Sequence, residues 1–558
     1  MKELIVSILG AAIERAHASG KLASQSPPIT IEAPKDPAHG DAASNIALAL
    51  ARAEGKAPRA IAEAIKSHIE LPAEVSEVSI AGPGFINFRM APAYWHSEMR
   101  RAARVAANFW KPRKFQIRPG AGDKIQVEFL SANPTGPLTV GHGRNAVLGD
   151  AVSRLYEAAG FAVTREYYFN DGGRQMKLLG ESVRVRYLQA LGREATLPED
   201  GYQGEYIADI ARELVKVQGE KLLEVTDLDV FRQAAVKSIF ADINRTCDRL
   251  KIHFDRFTNE LDLMNDGRVD SVLEELKKRD LTVEEDGAIW LRAEPLGLAK
   301  NAVLVRSGPD RQPTYRTPDI AYHIEKLERG FDLIVDVFGA DHIAEHQQVV
   351  AAVKALGHDT TSIKAIIYQF VTLTRGGEKV KMSTRKATYV TLDELIDEVG
   401  PDVVRFFFLF RKSDSHLDFD LDLARKQAPE NPVFYVQYAY ARLASVFREA
   451  AKVELALPTD TSATDLALLS AEELELAKRA VALPDVMTAA AEALEPHRIP
   501  FYLLELAGEF HRYYNKPSNR IISPDRDLSL ARMFLADILR AAFAGGLGLL
   551  GVSAPERM

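Results

Sequence analysis

A short turn formed by Gly141, His142 and Gly143 has the residue types of a phosphate site. Alternating apolar residues at 125–129 predict a strand before the turn, and apolar residues at helical spacing predict a helix after it. At the start of such a helix, free backbone N–H groups and the helix dipole attract an anion. By itself the turn also fits a structural helix cap at His142, whereas a phosphate site would indicate an enzyme that uses ATP.

A second segment, RGGEKVKMSTRK at 375–386, carries five basic residues against one acid, Glu378. It lies between a strand-like run at 365–374 and a helix that begins with the capping box Thr391 to Glu394. A basic loop at the carboxyl end of a strand can close over a triphosphate. The spacing leaves open which cation contacts the phosphates, and the candidates are Lys379, Lys381, Arg385 and Lys386.

The two segments resemble the paired signature motifs of class I aminoacyl-tRNA synthetases, TVGH at 139–142 and KMSTR at 381–385. Other phrases, among them EFLSANPTGPLTVGHGRNAVLGD, YRTPDIAYH, SHLDFDLDLA and the terminal GVSAPERM, resemble arginyl-tRNA synthetases of the bacterial type across essentially the whole chain. Two positions depart from the family pattern, because Thr139 replaces a histidine and Thr384 replaces a lysine. A threonine hydroxyl can donate a hydrogen bond but carries no charge.

The resemblance implies that His142 and Lys381 are catalytic residues that bind the phosphates of ATP. Arginine activation needs positioning and charge stabilisation rather than a protein nucleophile. Mg²⁺ would be bound mainly by the triphosphate, and no protein metal site is predicted because His342 and His346 lack a third ligand. The predicted ATP-binding residues are Thr139, Gly141, His142, Gly143, Lys381, Met382, Ser383 and Arg385.

Two segments resemble the arginine pocket of the family, EFLSAN at 128–133 and YRTPD at 315–319. Carboxylates suit a planar guanidinium, so Glu128 and Asp319 are expected to face it. By the same resemblance, Tyr315 would contact the substrate side chain and Asn133 would orient its amino-acid end. Such a pocket needs no editing domain. The predicted pocket residues are Glu128, Ser131, Asn133, Tyr315 and Asp319, with Asp171 and Gln175 as possible wall residues.

Recognition of tRNA is predicted to use aromatic side chains that stack on splayed bases, together with phosphate contacts. On the predicted helix 500–515, Tyr514 shares a face with apolar residues and is expected in the core, whereas Tyr513 projects elsewhere. For Phe85, the sequence alone favours burial, while the resemblance implies a contact with the tRNA elbow. The predicted tRNA contacts are Tyr513, Asn515, Met558, Phe85 and Asn87, with Lys516 beside them.

Chain length and charge limit the architecture. At 558 residues the chain needs several cores, and its net charge of −8 argues against non-specific coating of nucleic acid. We expect an α/β fold: an N-terminal α+β tRNA-contacting module at 1–115, and a Rossmann-like, doubly wound parallel-sheet catalytic domain at 116–400. Residues 175–285 would be an insertion in that domain. Residues 401–558 would form an α-helical, anticodon-binding bundle.

The sequence therefore predicts an arginine–tRNA ligase whose substrates are arginine, ATP and the cognate tRNA. The first helix is amphipathic rather than a signal peptide, so a cytoplasmic protein that does not bind membranes is expected, and we expect a monomer. Two alternatives stay open. A non-catalytic tRNA-binding paralogue is motivated by Thr139 and Thr384. A class I ligase for another amino acid is disfavoured by Glu128 and Asp319.

Overall fold

The computed structural model describes residues 1–558 except 35, 106–107, 113, 119, 309–310 and 381–389. Its N-terminal part is an α+β module with one four-stranded sheet of order β1-β2-β4-β3, antiparallel throughout. The predicted amphipathic first helix is present, and Ile5, Ile8 and Ala12 are buried on one face. The elements are α1 (Lys2–Ala18), β1 (Ile31–Glu32), β2 (Ala42–Ser44), α2 (Ile46–Glu54), α3 (Pro58–Lys66), β3 (Val75–Ala81), β4 (Phe85–Met90) and α4 (Pro92–Val105).

The catalytic region contains a five-stranded, wholly parallel sheet of order β12-β11-β5-β6-β7. Its strands are β5 (Lys124–Glu128), β6 (Ala162–Phe169), β7 (Arg256–Asn259), β11 (Leu333–Gly339) and β12 (Ile363–Tyr368). The winding direction reverses between β5 and β11, and ligands bind at such a switch point in open parallel sheets. The predicted doubly wound α/β fold is confirmed.

Helices cover this sheet and smaller sheets flank it. The helices are α5 (Val140–Ala158), α6 (Gly173–Ala190), α7 (Glu205–Gln218), α8 (Asp229–Arg249), α9 (Glu260–Asn265), α10 (Arg268–Lys278), α11 (Arg316–Glu328), α12 (Ile343–Ala355), α13 (Leu392–Val399) and α14 (Pro401–Leu409). One antiparallel sheet contains β8 (Thr282–Glu285), β9 (Ala288–Leu291) and β10 (Ala302–Val305). A mixed sheet contains β13 (Val371–Arg375), β14 (Glu378–Lys379) and β15 (Leu417–Asp420), and its β13 pairs antiparallel with β14 and in parallel with β15.

The remaining chain is helical, as predicted, in α15 (Leu421–Ala424), α16 (Pro432–Lys452), α17 (Ala471–Val481), α18 (Leu483–Glu492), α19 (Arg498–Tyr514) and α20 (Arg526–Leu549). Two details differ from the expectation. The range 175–285 is not wholly an insertion, because β7 within it is a strand of the central sheet. The sequence pattern beyond Pro401 also did not predict β15, which pairs in parallel with β13.

The structure groups the chain into two compact units. One comprises 1–109, 446–481 and 512–541, and the other comprises 110–445, 482–511 and 542–558. Helices of the C-terminal region therefore contribute to both units. The division into three domains at about 115 and 400 stays a prediction.

A buried ion cluster fastens α5 to its surroundings in the second unit. Asp150 is fully buried, and its Oδ2 accepts hydrogen bonds from Arg405 Nη2 at 2.5 Å and Arg154 Nε at 2.7 Å. Arg165 Nε lies 3.6 Å from the other oxygen. Burial opposes ionisation, but Arg405 and Arg154 hold the pKa of Asp150 below its ordinary value.

We predict that Asp150→Asn destabilises the chain, because the change leaves the buried Arg405 cation without its carboxylate. Breaking a buried pair costs about 3–5 kcal/mol. Thermal and urea unfolding at neutral pH measure the loss. Asp209→Asn is the matched control, since the Arg212–Asp209 pair is exposed and should contribute little to stability. Equal transitions for both variants would contradict the role of Asp150.

Candidate active site

The N-terminus of α5 is capped by residues of the predicted phosphate turn. Thr139 is the N-cap, and its Oγ1 accepts a hydrogen bond from the backbone N–H of His142 at 3.4 Å. In return, the backbone N–H of Thr139 donates to His142 Nδ1 at 3.2 Å. This reciprocal pair is a capping box in which histidine takes the place of the usual glutamate. Thr139, the departure from the family pattern, therefore has a defined structural role.

The capping box fixes the chemistry of the His142 ring. Because Nδ1 accepts a hydrogen bond, a neutral ring must carry its proton on Nε2. Burial lowers the pKa of His142 to about 4, so the ring is neutral at physiological pH. His142 consequently offers a neutral Nε2–H donor at a helix N-terminus, where backbone N–H groups also favour an anion.

The chain that follows the second motif is paired with the start of this turn. Thr391 forms an antiparallel bridge with Thr139, and the N–H of Leu392 donates to the carbonyl of Leu138 at 2.8 Å. The predicted Thr391 to Glu394 capping box is present at the start of α13. On the other side, β13 and β14 form a hairpin that ends at Lys379. The predicted residues Lys381, Met382, Ser383 and Arg385, with Thr384 and Lys386, lie outside the described residues.

The two flanking glycines of His142 have different packing environments. A Cβ added at Gly143 would meet side-chain atoms of Leu392 at 2.6 Å and Phe408 at 2.9 Å, so close helix packing requires glycine there. A Cβ added at Gly141 would meet only Thr139 Oγ1, at 3.8 Å. Packing within the described chain therefore does not explain the glycine at 141.

The loop after β5 has a strained backbone. Leu130 and Ser131 have positive φ angles of 67° and 43°, a region that non-glycine residues rarely adopt. Asn145 on α5 supports the loop, because its Oδ1 accepts from the N–H of Leu130 and its Nδ2 donates to the carbonyl of Val337. Ser131 Oγ donates to Glu128 Oε1 at 2.9 Å and accepts from the N–H of Tyr168. Asn145 is not among the site residues predicted from the sequence.

Three acidic residues lie side by side on adjacent strands of the central sheet. In the strand register, Asp336 on β11 is opposite Glu128 on β5, which in turn is opposite Glu166 on β6. In register, neighbouring parallel strands direct side chains to the same face. Asp336 is 5% exposed and Glu166 is fully buried. The row therefore requires nearby cations.

Helix α11 and the residue after it supply those cations. Lys326, with no exposed surface, places its Nζ 2.5 Å from Glu128 Oε2 and 2.7 Å from Asp336 Oδ1. Arg329 donates to both carboxylate oxygens of Glu166. Burial disfavours the charged forms of Lys326 and Asp336. The carboxylates of Asp336 and Glu128 nevertheless raise the pKa of Lys326, and Lys326 with His323 holds the pKa of Asp336 well below its ordinary value.

This pairing changes the interpretation of Glu128. Both of its oxygens already have a partner, Lys326 or Ser131, so a guanidinium that meets Glu128 would share these oxygens with them. Asp319 differs, because its side chain keeps 34% exposure at the first turn of α11. Asp319 therefore remains the better candidate to meet a cation. The substrate-contact roles of both residues stay predictions.

The other predicted pocket residues lie in hydrogen-bonded groups. Asn133 accepts from the backbone N–H of Asn170 and donates to Gln175 Oε1 at 3.3 Å, which brings the possible wall residue Gln175 to it. Tyr315 caps α11, is 45% exposed and donates its hydroxyl hydrogen to Glu345. Burial and this bond raise the pKa of Tyr315 to about 12. It is therefore a neutral phenol at physiological pH.

Glu260 is a further acidic residue that the sequence analysis missed. It is 6% exposed, and it accepts hydrogen bonds from Tyr168 Oη at 3.0 Å and Asn170 Nδ2 at 2.6 Å. Burial, reinforced by the charges of Asp319 and Asp171, raises the pKa of Glu260 to about 7. The signal available in the sequence was an acid directly after β7, at the carboxyl edge of the sheet.

His346 joins a cluster with His323 and Asp336, whose potential ligand atoms lie within 4.8 Å of one another. Lys326 contacts the same carboxylate, and both histidines place Nε2 3.1 Å from Asp336 Oδ2. The arrangement is a hydrogen-bonded charge network in which cations already balance the acid. His342 pairs instead with Glu345.

The predicted tRNA contacts of the first unit differ in exposure. Tyr513 is 2% exposed and donates its hydroxyl hydrogen to the buried Glu473 at 2.8 Å, while Tyr514 is only partly buried. This reverses the prediction of which tyrosine is in the core, because a buried acid recruits the Tyr513 hydroxyl. The predicted stacking of Tyr513 on a base would first require its exposure. Asn515 is exposed.

In the N-terminal sheet, the prediction from sequence alone that Phe85 is buried is wrong, since it is 38% exposed. Asn87, two residues along β4, is 2% exposed, and its Nδ2 has no hydrogen-bond partner within the described structure. In the second unit, the exposed Met558 lines a cleft of about 510 Å³ together with Arg425, Lys426 and Phe434.

Three family models match the chain. They are the arginyl tRNA synthetase N terminal domain over residues 3–90, the class I (R) tRNA synthetase catalytic domain over 104–405 and the DALR anticodon binding domain over 436–558. The chain belongs to the arginyl-tRNA synthetase family. The resemblance of the two signature motifs is thereby confirmed at the level of the family.

Relatives in other organisms match nearly the whole of this chain. An arginine–tRNA ligase from Desulfotalea psychrophila is 48% identical over 531 residues, which cover 95% of this chain and 94% of the relative. One from Salinibacter ruber is 47% identical and covers 95% and 96%. The solved arginyl-tRNA synthetase of Thermus thermophilus shares the fold, with a TM-score of 0.74 at 23% identity over 98% of this chain and 99% of that chain. Among the described residues, no helix is long and apolar enough to cross a membrane.

We predict that His142 stays neutral, with its proton on Nε2, between pH 5.5 and 8, because its pKa lies near 4. Nitrogen-15 spectra of histidine-labelled protein report both the charge and the tautomer. His142→Asn assigns the resonance, and its side-chain oxygen can replace Nδ1 as the acceptor from Thr139, so the helix start should persist. A titration midpoint near 6.5, or a proton on Nδ1, would contradict the capping-box assignment.

Proposed function

We propose that this chain is an arginine–tRNA ligase. The arginine carboxylate attacks the α-phosphorus of ATP and releases pyrophosphate, and the terminal ribose hydroxyl of tRNA then attacks the arginyl adenylate and releases AMP. The observation that carries the proposal is a group of acids, Asp319 and Glu260, at the carboxyl edge of a parallel sheet whose switch point also holds the capped start of α5. Family membership supports the same reaction.

The start of α5 would bind the phosphates of ATP. His142 presents an Nε2–H donor, and Gly141 leaves its backbone accessible to a close ligand, which would explain a glycine that packing does not require. Preorganised donors aimed at developing charge stabilise the transition state. Thr139 serves as the helix cap, so the motif works without the usual first histidine. Lys381 and its basic neighbours would act on the pyrophosphate leaving group.

Arginine would enter with its guanidinium beside Asp319 and Glu260. A cation suits this place, because burial and nearby negative charge raise the pKa of Glu260, and the attraction of a cation would favour its ionised form. Lysine lacks the planar fork of the guanidinium and citrulline lacks its charge, so either should bind less well. Asn133 and Tyr315, which border the group, would orient the rest of the substrate.

Several finer statements belong to the same proposal. Magnesium would enter with ATP, held mainly by the triphosphate. Among the described residues, one cluster of three potential metal ligands occurs, at His323, Asp336 and His346, and Lys326 already balances the charge of its carboxylate. Phe85 would contact the outer part of the tRNA, and Asn87 would do so only if its buried amide became exposed. Asn515 and Met558 would contact the anticodon region. We propose a cytoplasmic monomer. The domain boundaries at about 115 and 400 are part of this proposal.

The reaction is tested by pyrophosphate exchange into ATP with each amino acid, with and without cognate tRNA. Among the amino acids, only arginine should support exchange. By family resemblance, this exchange should also require the tRNA. Exchange with another amino acid would favour a different class I ligase. No exchange under any condition, with tRNA still bound, would favour a non-catalytic paralogue.

We predict that arginine binding at pH 7 releases a fraction of a proton from Glu260. The group is about half protonated in the free protein because its pKa is near 7, and a guanidinium beside it would favour the carboxylate. Calorimetric titration in two buffers of different ionisation enthalpy measures the release. Glu260→Gln should remove it, whereas Glu328→Gln, which alters an exposed acid, should not. A binding enthalpy independent of buffer in the wild type would contradict the assignment.

A further inference from the structure

His323 on α11 is enclosed between two acids that belong to different elements. Its side chain is 3% exposed. Nδ1 lies 2.8 Å from the carbonyl oxygen of Asp319 and 3.0 Å from Asp319 Oδ1, and Nε2 lies 3.1 Å from Asp336 Oδ2. All of these partners accept hydrogen bonds, so both ring nitrogens must be donors. His323 is therefore an imidazolium with one carboxylate at each end.

The electrostatic surroundings agree with this charge. Burial and Lys326 act to lower the pKa of His323, but Asp319 and Asp336 outweigh them and raise it to about 10. Asp319 also lies close enough to Glu128 and Glu260 for its charge to raise the pKa of both. Without a cation at position 323, Asp319 would face these acids with less compensation.

We propose that His323 is a positioning residue for arginine recognition, in which Nδ1–H holds the Asp319 carboxylate towards the substrate while Asp336 holds Nε2–H. The inference rests on the proposed function. Only one carboxylate oxygen of Asp319 contacts the ring, and the side chain keeps 34% exposure, so it can still meet a guanidinium. Asp336 lies on β11 and is braced by Lys326, which ties the orientation of Asp319 to the central sheet.

Two substitutions separate the two ends of the ring. An asparagine amide can place its donor near Nδ1, where it would still reach Asp319, whereas a glutamine amide can place its donor near Nε2, where it would reach only Asp336. Both variants lose the same positive charge. His346 is the control, because it donates to the same oxygen of Asp336 from another helix, α12.

The experiment is steady-state pyrophosphate exchange in the presence of cognate tRNA, with arginine and ATP varied in turn. His323→Gln should raise the KM for arginine by about 10- to 100-fold, the loss expected when a hydrogen bond to a charged group is removed. It should change kcat and the KM for ATP by less than about threefold. His323→Asn should raise the KM for arginine by clearly less, His346→Gln should change it little, and Asp319→Asn should resemble His323→Gln.

Equal arginine defects in His323→Gln and His323→Asn, or equal losses for arginine and ATP, would overturn the positioning role and leave His323 as a core residue. Circular dichroism checks folding. If a variant does not fold, nitrogen-15 spectra of the wild type decide: the inference expects one buried histidine protonated on both nitrogens at pH 8 whose resonances shift on addition of arginine, and a neutral ring overturns it. Wild-type protein without arginine-dependent exchange would reject the proposed function itself.

Discussion

The structure of the site depends on the neutralisation of three neighbouring carboxylates. Asp336, Glu128 and Glu166 occupy adjacent strands in register, and Asp336 and Glu166 are buried. Three acids in such a row would repel one another and lose hydration, a combination that a folded chain cannot sustain without cations. Lys326 and Arg329 meet this need. Helix α11 must therefore lie against this face of the sheet. Its first turn, which contains Asp319, then lies at the carboxyl edge of the sheet.

The catalytic elements converge on the switch point of the sheet for topological reasons. The carboxyl ends of β5 and β11 meet there, and α5 follows β5 with its N-terminus directed to the same edge. Asn145 links the strained loop after β5 to β11, while the bridge between Thr139 and Thr391 joins the start of α5 to the chain that leaves the second motif. Backbone pairing thereby joins the first signature motif to Thr391, a residue about 250 positions further along the sequence.

Much of this arrangement could be predicted from local patterns. Alternation at 125–129 and the turn at 141–143 predicted β5 and the start of α5, and the Thr391 to Glu394 pair predicted the capping box of α13. Each of these signals acts within a few residues. The pattern failed where a distant polar partner decides burial. Tyr513 enters the core because Glu473 accepts its hydroxyl hydrogen, and hydrophobic periodicity contains no information about such a partner.

The sequence by itself determined the family and the alternation of strands and helices around the first motif, and it predicted a set of site residues, because motifs and periodicities are properties of the local chain. Only the tertiary structure decided which acids pair with a buried cation and which stay partly exposed. Glu128 and Asp319 look alike in sequence, yet Lys326, 198 residues from Glu128, pairs with one and leaves the other partly exposed. The surroundings of Glu260 and His323 were likewise set by partners that folding brings together. The charge state of a buried group depends on burial and on partners brought together by folding, and neither is written in the spacing of the residues.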